Sequence, residues 1–198
     1  MAGRSRTYAE RREAHAAVDD PQVILEAAVR FLEPRARSVD EVRRRLTGTG
    51  YRPALVEAAI ERLTDLGMLD DEAFARAWLG SRDRARPRGE RAIRVELGRK
   101  GIDRASIDLV LGERRDQHAE RGAAARDGDE PVVSADRAAA ERLLAKHARA
   151  LGRVADPRQR RQRAYALLAR NGFDPETCRE VAAMVDGPSD TDALEADD

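Results

Sequence analysis

Side chains that commonly carry catalysis or bind metals are few in this sequence and lie far apart. The three histidines, His15, His118 and His147, have no second ligand residue at a metal-binding spacing. There is also no glycine-rich phosphate loop and no nucleophile elbow. These absences favour a protein that is not an enzyme and that needs neither a cofactor nor a metal. The single cysteine, Cys178, excludes an intrachain disulfide, which favours a reducing compartment.

Carboxylates cluster at one place, where Asp70 and Asp71 directly precede Glu72. Such a group has the residue types of a metal site or an acid–base site. Aspartate at the start of a helix, however, accepts hydrogen bonds from free backbone N–H groups and lies at the positive end of the helix dipole. We therefore expect Asp70 and its neighbours to begin a helix, with contact to a partner as the alternative role.

Arginine provides the clearest chemical signal in the sequence. Eight basic residues against three acids lie between Arg82 and Lys100, and nine against one lie between Arg142 and Arg170. A connection that contains Pro and Gly cannot bury several guanidinium groups, which bind phosphate or carboxylate through paired hydrogen bonds. We expect a basic contact surface for a partner; the alternative is a solvated face whose charges pair with nearby acids. The predicted members are Arg82, Arg84, Arg86, Arg88, Arg91, Arg94, Arg99 and Lys100, together with Arg158, Arg160, Arg161 and Arg163.

The chain as a whole has 198 residues and no formal net charge, because 37 basic residues balance 37 acidic ones. Hydrophobic residues make up 41% and aromatic residues only 4%, so a core must consist mainly of Ala, Leu, Val and Ile. This composition favours helices over strands, which prefer β-branched and aromatic residues. No apolar run approaches the length of a membrane span, and residues 1–20 lack the pattern of a secretory signal. We expect a cytoplasmic protein that does not contact membranes.

One short pattern occurs three times: a leucine, three further residues, a glycine and an apolar residue. It occupies residues 46–51, 97–102 and 168–173. Apolar residues recur at helical spacing on both sides of each copy, which predicts two helices joined at the glycine. Glycine at this position can adopt the left-handed conformation that ends a helix. A further apolar helix lies upstream of each copy, so the sequence predicts an all-α protein of three tandem three-helix units.

The repeat also predicts where the units begin and end. The first unit is nearly neutral, so we expect it to serve for packing, while the second and third carry the basic stretches. A polar stretch between the second and third units is predicted as a linker or insertion, in the form of a loop or an extended polar helix. The predicted order is a disordered extension (1–20), unit one (21–69), unit two (70–114), the linker (115–135), unit three (136–186) and a disordered acidic tail (187–198).

The central unit carries a specific combination of motifs. Residues 67–78 read GMLDDEAFARAW, residues 86–89 read RPRG, and residues 96–102 read ELGRKGI. This combination resembles the central signature of the RecX family of RecA regulators, and three tandem three-helix units are also that family's architecture. The resemblance covers about residues 21–186. The residues that carry it, or that occupy matching structural positions, are Asp70, Phe74, Trp78, Pro87, Gly89, Leu97, Gly101 and Ile102, with Gly50 and Gly172.

The resemblance implies a negative regulator of RecA, the recombinase that forms filaments on single-stranded DNA. In that family an elongated, curved helical array lies in the filament groove and inhibits strand exchange, ATP hydrolysis and coprotease activity. The implied partner is the RecA filament, with single-stranded DNA as a further candidate; we expect a monomer without a small-molecule substrate. We expect Phe74 and Trp78 in the core, with base stacking as the alternative. Two other functions remain open: a helix-turn-helix-like nucleic-acid-binding protein that acts independently of RecA, and a helical scaffold for another partner.

Overall fold

The computed structural model describes residues 7–124 and 133–186 of the chain. In these residues the regular structure consists of ten α-helices and one 3-10 turn, without a strand, which confirms the predicted all-α fold. The predictions made for residues 1–6, 125–132 and 187–198 concern positions outside the described residues. The helices are α1 Tyr8–Ala16, α2 Pro21–Leu32, α3 Val39–Thr49, α4 Pro53–Asp65, α5 Asp71–Ala85, α6 Glu90–Arg99, α7 Arg104–Ala124, α8 Ala135–Gly152, α9 Pro157–Arg170 and α10 Pro175–Ala183, followed by the turn Met184–Asp186.

The chain divides into two compact units. The first consists of Met1–Arg76 and Leu97–Ile107, and the second consists of Ala77–Glu96 and Asp108–Asp198. Helices α2–α4, α5–α7 and α8–α10 form the three successive three-helix domains that the repeat predicts. The borders between the compact units fall inside α5, α6 and α7, so the middle domain contributes residues to both units.

The core of the first compact unit lies between α2, α3 and α4, whose ends are set by local signals in the sequence. Ser38 begins α3 through a capping box with Glu41, and Asp20 caps α2, which has Pro21 in its first turn. Aliphatic side chains at helical spacing then turn inward and bury apolar area. The buried cluster consists of Ile24, Ala28, Val42, Leu46, Tyr51, Val56, Ala59, Ile60, Leu63 and Leu69.

The second compact unit has its own core between α8, α9 and α10. Asp156 and Asp174 cap α9 and α10, and the proline that follows each of them occupies the first turn, where its missing N–H costs nothing. Many of the buried residues are alanines, which allow the helices to approach closely. The buried cluster consists of Ala139, Ala140, Leu143, Leu144, Leu151, Ala164, Leu168, Phe173, Cys178, Val181 and Ala182.

The N-terminal extension contains a helix, so the prediction that residues 1–20 are disordered is wrong for residues 8–16. Thr7 begins α1 through a capping box with Glu10. The Tyr8 hydroxyl donates to the Gly48 carbonyl at 3.0 Å, and the ring of His15 lies 4.6 Å from the ring of Tyr51. None of the residues of α1 is buried, because the helix docks through polar groups and one tilted pair of rings. It therefore has no apolar periodicity by which the sequence could reveal it.

The stretch predicted as a polar linker also begins as a helix. Helix α7 continues to Ala124, ten residues beyond the predicted end of unit two at residue 114. The first helix of the third domain then begins at Ala135, after the cap residue Ser134, whose hydroxyl accepts from the N–H of Arg137. Of the two forms considered for the linker, the extended polar helix is present over residues 115–124.

The residue before each turn glycine uses its carbonyl group to hold another helix. In the first compact unit, the Ser38 hydroxyl at the start of α3 donates to the Lys100 carbonyl at 2.6 Å. In the second, the Gly89 N–H, next to the start of α6, donates to the Asn171 carbonyl at 3.1 Å. The equivalent residue of the first domain is Thr49, whose carbonyl oxygen lies 2.9 Å from Nδ1 of His15 in α1.

The turn glycines approach the same helices closely. Gly50, Gly101 and Gly172 have φ values of 111°, 80° and 82°, in the left-handed region that disfavours side chains. A Cβ would lie within 2.7 Å of Arg12 in α1 at Gly50, of Asp40 in α3 at Gly101, and of Ala92 in α6 at Gly172. Helix α1 thus stands where the middle helix of a preceding domain would stand, and it caps the N-terminal end of the repeat.

Candidate contact surfaces

At the predicted basic surface, three side chains surround the carboxylate of Glu96. Glu96 accepts hydrogen bonds from Trp78 Nε1 at 2.9 Å and from Arg82 Nε at 2.6 Å, and Arg88 Nε lies 3.5 Å away. The Arg82 guanidinium also lies 4.4 Å from the centre of the Trp78 ring. Arg82 and Arg88 therefore interact with Glu96 of the same chain. Because Arg82 covers one face of the half-buried Trp78 indole, the base-stacking alternative is disfavoured.

Arg84 and Arg86 lie exposed at the end of α5 and in the residue that follows it, where α5 approaches α8. In the part of the chain that the structure describes, neither side chain forms an ion pair. Lys146 of α8 donates to the carbonyls of Arg84 and Ala85 at 3.2 and 2.8 Å, which satisfies the C-terminal end of α5. Three positive charges thus lie within a short stretch of surface.

The next two predicted members, Arg91 and Arg94, lie on α6. Arg94 forms an ion pair with Asp108, while Arg91 is exposed. Both line a surface cavity of about 320 Å³ whose lining also contains acids. Because the charges in this cavity are mixed, it does not favour an anionic ligand. Its other charged lining residues are Glu90, Arg115, Asp136 and Asp174.

Arg99 and Lys100 belong to the first compact unit. Lys100 Nζ donates to Glu41 at 2.8 Å, and both side chains are only 17% exposed. The same ammonium group lies 5.7 Å from the centre of the buried Phe74 ring. Arg99 is exposed at the end of α6, and its carbonyl accepts from Arg44 at 3.3 Å. Lys100 therefore stabilises the fold, whereas Arg99 offers its side chain to solvent.

In the third domain, the predicted basic residues lie in the first half of α9. Arg158, Arg161 and Arg163 are exposed. Arg160 is half-buried, and its Nε donates to the Val154 carbonyl at 3.1 Å, so it ties α9 to the loop that precedes it. Of the four predicted residues, the structure gives Arg160 a role in packing and leaves the others on the surface.

A cavity of about 280 Å³ lies between α8 and α9. Its ionisable lining residues are Arg163, Arg170 and His147, and no carboxylate lines it. The remaining walls are apolar, so the site has the chemistry for an anionic group that carries a hydrophobic part. The sequence pattern singled out Arg163 but missed Arg170 and His147, because Arg170 lies two turns beyond the arginine-rich run on α9 and His147 lies on another helix, α8. The apolar wall consists of Ala150, Leu151, Ala166 and Leu167.

Arg114 is a structural centre that the sequence did not reveal. It is 8% exposed and forms two hydrogen bonds with Asp83 of α5, at 2.9 and 3.1 Å, and one with Asp136 of α8, at 2.7 Å. Burial alone would lower the pKa of Arg114, but the two carboxylates raise it, so the guanidinium stays charged. It therefore joins α5, α7 and α8 by matched buried charges.

The first domain, expected to serve for packing, also contains a positive aromatic cleft. The guanidinium groups of Arg37 and Arg45 lie 4.3 and 5.7 Å from the centre of the Phe31 ring. A cavity of about 280 Å³ beside them is lined by Arg30, Arg45 and His15 without any carboxylate. This cleft was not predicted, because its cations are spread over two helices and a loop.

The acidic cluster has a structural role in the first compact unit. Asp70 accepts from the Ala73 N–H at 2.8 Å and Asp71 from the Val39 N–H at 2.9 Å. Burial raises the pKa of Asp71, although the bond from Val39 opposes the shift. Across residues 7–124 and 133–186, no three His, Cys, Asp or Glu side chains are grouped as metal ligands. No helix in those residues has the length and apolarity to cross a membrane.

Each of the three helical domains matches one domain of a single protein family. Residues 25–63 match the first three-helix domain of RecX, residues 70–111 match the second, and residues 135–182 match the third. The matches follow one another in the order that the repeat predicts. Together they account for the three groups α2–α4, α5–α7 and α8–α10.

Relatives that match most of the chain agree with these domain matches. Regulatory protein RecX of Chlorobium phaeobacteroides is 30% identical over 166 residues, which cover 84% of this chain and 95% of the relative. Regulatory protein RecX of Mycolicibacterium smegmatis is 33% identical over 156 residues, covering 79% and 76%. The crystal structure of RecX from Lactobacillus salivarius has the same fold, with a TM-score of 0.67 at 19% identity over 85% of this chain and 97% of that one. The resemblance found in the sequence is confirmed: the chain belongs to the RecX family of regulatory proteins.

Proposed function

We propose that this protein is a negative regulator of the RecA recombinase. It binds the groove of the filament that RecA forms on single-stranded DNA, and it inhibits strand exchange, ATP hydrolysis and coprotease activity. It acts in the cytoplasm as a monomer, by binding rather than by catalysis. Membership of the RecX family supports this proposal, because relatives along most of the chain carry the name regulatory protein RecX.

The observation that carries the proposal is the positive surface at the end of α5. Arg84 and Arg86 are exposed, and Lys146 donates to the carbonyls of Arg84 and Ala85. The acid next to Arg84 in the sequence, Asp83, is already paired with Arg114. Fixed cations without local counter-charges attract anionic surfaces and raise the rate of encounter with them. Both DNA phosphates and the carboxylates of a protein groove are suitable partners for guanidinium groups.

A second positive region in the same compact unit adds to this attraction. Arg158, Arg161 and Arg163 are exposed on α9, and Arg163 continues into the cavity that also contains Arg170. A ligand with charges distributed along its length, such as a filament, can contact both regions at once, and linked contacts increase affinity more than either contact alone. These observations favour an extended anionic partner over a small molecule.

The helix-turn-helix alternative receives less support from the helices themselves. In a three-helix DNA-binding domain, the third helix enters the major groove and carries few acids. Here the third helices of the outer domains carry carboxylates, with Glu57 and Glu61 on α4 and Glu176 and Glu180 on α10. Arg43 and Arg137 pair with Glu57 and Glu180, but the exposed Glu61 and Glu176 would repel phosphate, so sequence-specific binding to duplex DNA is disfavoured.

The proposal is tested by measuring RecA-dependent ATP hydrolysis on single-stranded DNA as the protein is titrated. The test variant is Arg84→Glu with Arg86→Glu. Its control, Arg62→Glu with Arg179→Glu, changes the net charge equally at exposed arginines that form no ion pair in the described part of the chain. Loss of two charge-assisted contacts should raise the concentration for half-inhibition about tenfold or more, against less than about threefold in the control.

Two results would contradict the proposal. The first is a natural-sequence protein that leaves ATP hydrolysis unchanged at equal amounts with RecA but binds bare duplex DNA tightly, which would favour the helix-turn-helix function. The second is an equal loss of inhibition in the test and control variants, which would mean that only net charge matters. Circular dichroism of both variants checks that helix content is retained.

A further inference from the structure

A groove on the third domain is lined almost entirely by apolar side chains. It has a volume of about 310 Å³ and lies between α8, α10 and the 3-10 turn. Arg160 and Glu141 are its only ionisable lining residues. Met184 stands at its edge with 50% of its surface exposed. Apolar surface of this kind is stabilised when another apolar group covers it. The apolar lining residues are Leu144, Ala145, Ala148, Leu151, Val181, Met184 and Val185.

The chain leaves the described part of the structure at the groove itself. Met184 and Val185 line the groove. Only Asp186 separates them from the C-terminal segment 187–198, which has twelve residues. Twelve extended residues span up to about 40 Å, whereas the eighteen residues of α8 span about 27 Å. The segment is therefore long enough to turn back along the whole groove and to reach α9. Gly187 and Pro188 at its start suit a change of direction.

The composition of this segment matches its surroundings. Its one large aliphatic residue is Leu194; Ala193 and Ala196 lie within two residues of it in the sequence, and the segment contains five carboxylates. The surface formed by residues 142–170 contains nine basic residues and one acid. A peptide with one apolar anchor among carboxylates therefore has a hydrophobic groove and a positive rim available on the same domain.

We propose that residues 187–198 dock on this groove, with the Leu194 side chain against the apolar wall and the carboxylates near the arginines of α8 and α9. The chain then covers part of its own basic surface, and an anionic partner of α9 must displace it. Attachment through Asp186 keeps the segment at high local concentration, so even a weak contact is populated. This proposal stands on the groove and the tail sequence and does not depend on RecA as the partner.

Two methionines with similar exposure allow a direct test. Met184 borders the groove and is 50% exposed, while Met68 lies far along the chain and is 46% exposed. The full-length protein is treated with dilute hydrogen peroxide, and the oxidation of each methionine is followed by mass spectrometry of peptides. Docking should make Met184 oxidise about fivefold more slowly than Met68, since an occluded thioether reacts slowly. Leu194→Ser should bring the two rates together, while Ala196→Ser, an equally small change, should keep most of the protection.

Three outcomes overturn the proposal. One is equal oxidation of both methionines in the full-length protein, which means that the groove is open. Another is protection of Met184 that persists unchanged in Leu194→Ser. The third is protection that appears only as protein concentration rises, which assigns the groove to a second copy of the chain. Circular dichroism of Leu194→Ser shows whether its helices are retained, and retained helices make its oxidation rate decisive.

Discussion

Gly89, just before α6, lies directly against Gly172, at the turn after α9. A Cβ added to Gly89 would lie 2.5 Å from the carbonyl carbon of Gly172, closer than real side chains approach. The Gly89 N–H donates to the carbonyl of Asn171, the residue before that turn. The backbone at Gly89 therefore packs against the backbone at Gly172 with no side chain between them, so this contact tolerates only glycine at both positions.

Gly89→Ala should therefore destabilise the second compact unit. The methyl group cannot be accommodated without a shift of the backbone, and overpacking of this kind costs about 1–3 kcal/mol. The measurement is urea unfolding followed by circular dichroism. Gly112→Ala is the control, because Gly112 lies inside α7 with open space around its Cα.

The control should change stability in the opposite direction. Alanine is a better helix former than glycine by about 0.5–1 kcal/mol, so Gly112→Ala should raise the free energy of unfolding. If Gly89→Ala instead proves neutral or stabilising, the close contact between Gly89 and Gly172 does not exist in solution.

Ser38 should contribute more to stability than an ordinary helix cap. Its hydroxyl accepts from the Glu41 N–H at 3.2 Å and also donates to the Lys100 carbonyl at 2.6 Å, in a fully buried position. Ser38→Ala removes the cap and leaves the Lys100 carbonyl without this donor, at a cost of about 2 kcal/mol or more.

Ser134 provides the matched comparison, since its hydroxyl only caps α8 and the residue is exposed. Ser134→Ala should cost about 1 kcal/mol. Urea unfolding of both variants and of the parent protein measures the two losses. Equal losses in the two variants would show that the bond between Ser38 and Lys100 does not stabilise the domain contact.

The ion pair between Glu41 and Lys100 should make stability depend on pH. Burial alone would raise the pKa of Glu41, but hydrogen bonds from Lys100 and from the Ser38 N–H outweigh it, so the pKa is lowered from 4.5. A lowered folded-state pKa means that this stabilisation is complete above the unfolded-state value and is lost as pH falls through the folded-state value.

Glu41→Gln should thus cost about 1 kcal/mol at pH 7 and progressively less below pH 4.5. Thermal unfolding across this range measures the difference between variant and parent. Glu61→Gln, at an exposed position on α4, should show no such trend. A gap that stays constant down to the lowest pH would mean that the carboxylate charge of Glu41 does not matter.

The sequence predicts the helices well wherever apolar residues recur at helical spacing. The three copies of the leucine–glycine pattern led to the correct fold class and to three three-helix domains, because a glycine that ends a helix and apolar residues around it are local signals. Helix α1 was missed for the opposite reason. Tyr8 and His15 hold it through polar contacts with residues distant in sequence, and such contacts require no apolar residues at helical spacing.

Charge patterns predicted where the positive residues concentrate but not which of them are used inside the protein. Arg84 and Arg82 are two residues apart in the same arginine-rich run, yet one is exposed and the other lies between Trp78 and Glu96. Likewise, Arg114 and Arg115 are consecutive arginines that no sequence pattern distinguishes, yet only Arg114 is buried between two carboxylates. Such differences arise from packing between helices, which the linear order of residues does not specify.

Arg82 and Arg86 should therefore respond differently to the same substitution. Arg82 donates to Glu96 and lies over the Trp78 ring, and its side chain is 23% exposed. Arg82→Ala loses both contacts and should cost about 1–2 kcal/mol. Arg86 is exposed, so Arg86→Ala should change the free energy of unfolding by less than about 0.5 kcal/mol.

The single tryptophan of the chain makes this comparison visible by fluorescence. Loss of the guanidinium over its ring should expose Trp78 to water and shift its emission to longer wavelength in Arg82→Ala, whereas Arg86→Ala should leave the emission unchanged. If RecA is the partner, Arg86→Ala should weaken inhibition of ATP hydrolysis at unchanged stability. An emission shift in Arg86→Ala, or none in Arg82→Ala, would contradict the assignment of Arg82 to the fold and Arg86 to the partner, because Arg82 alone should contact the indole of Trp78.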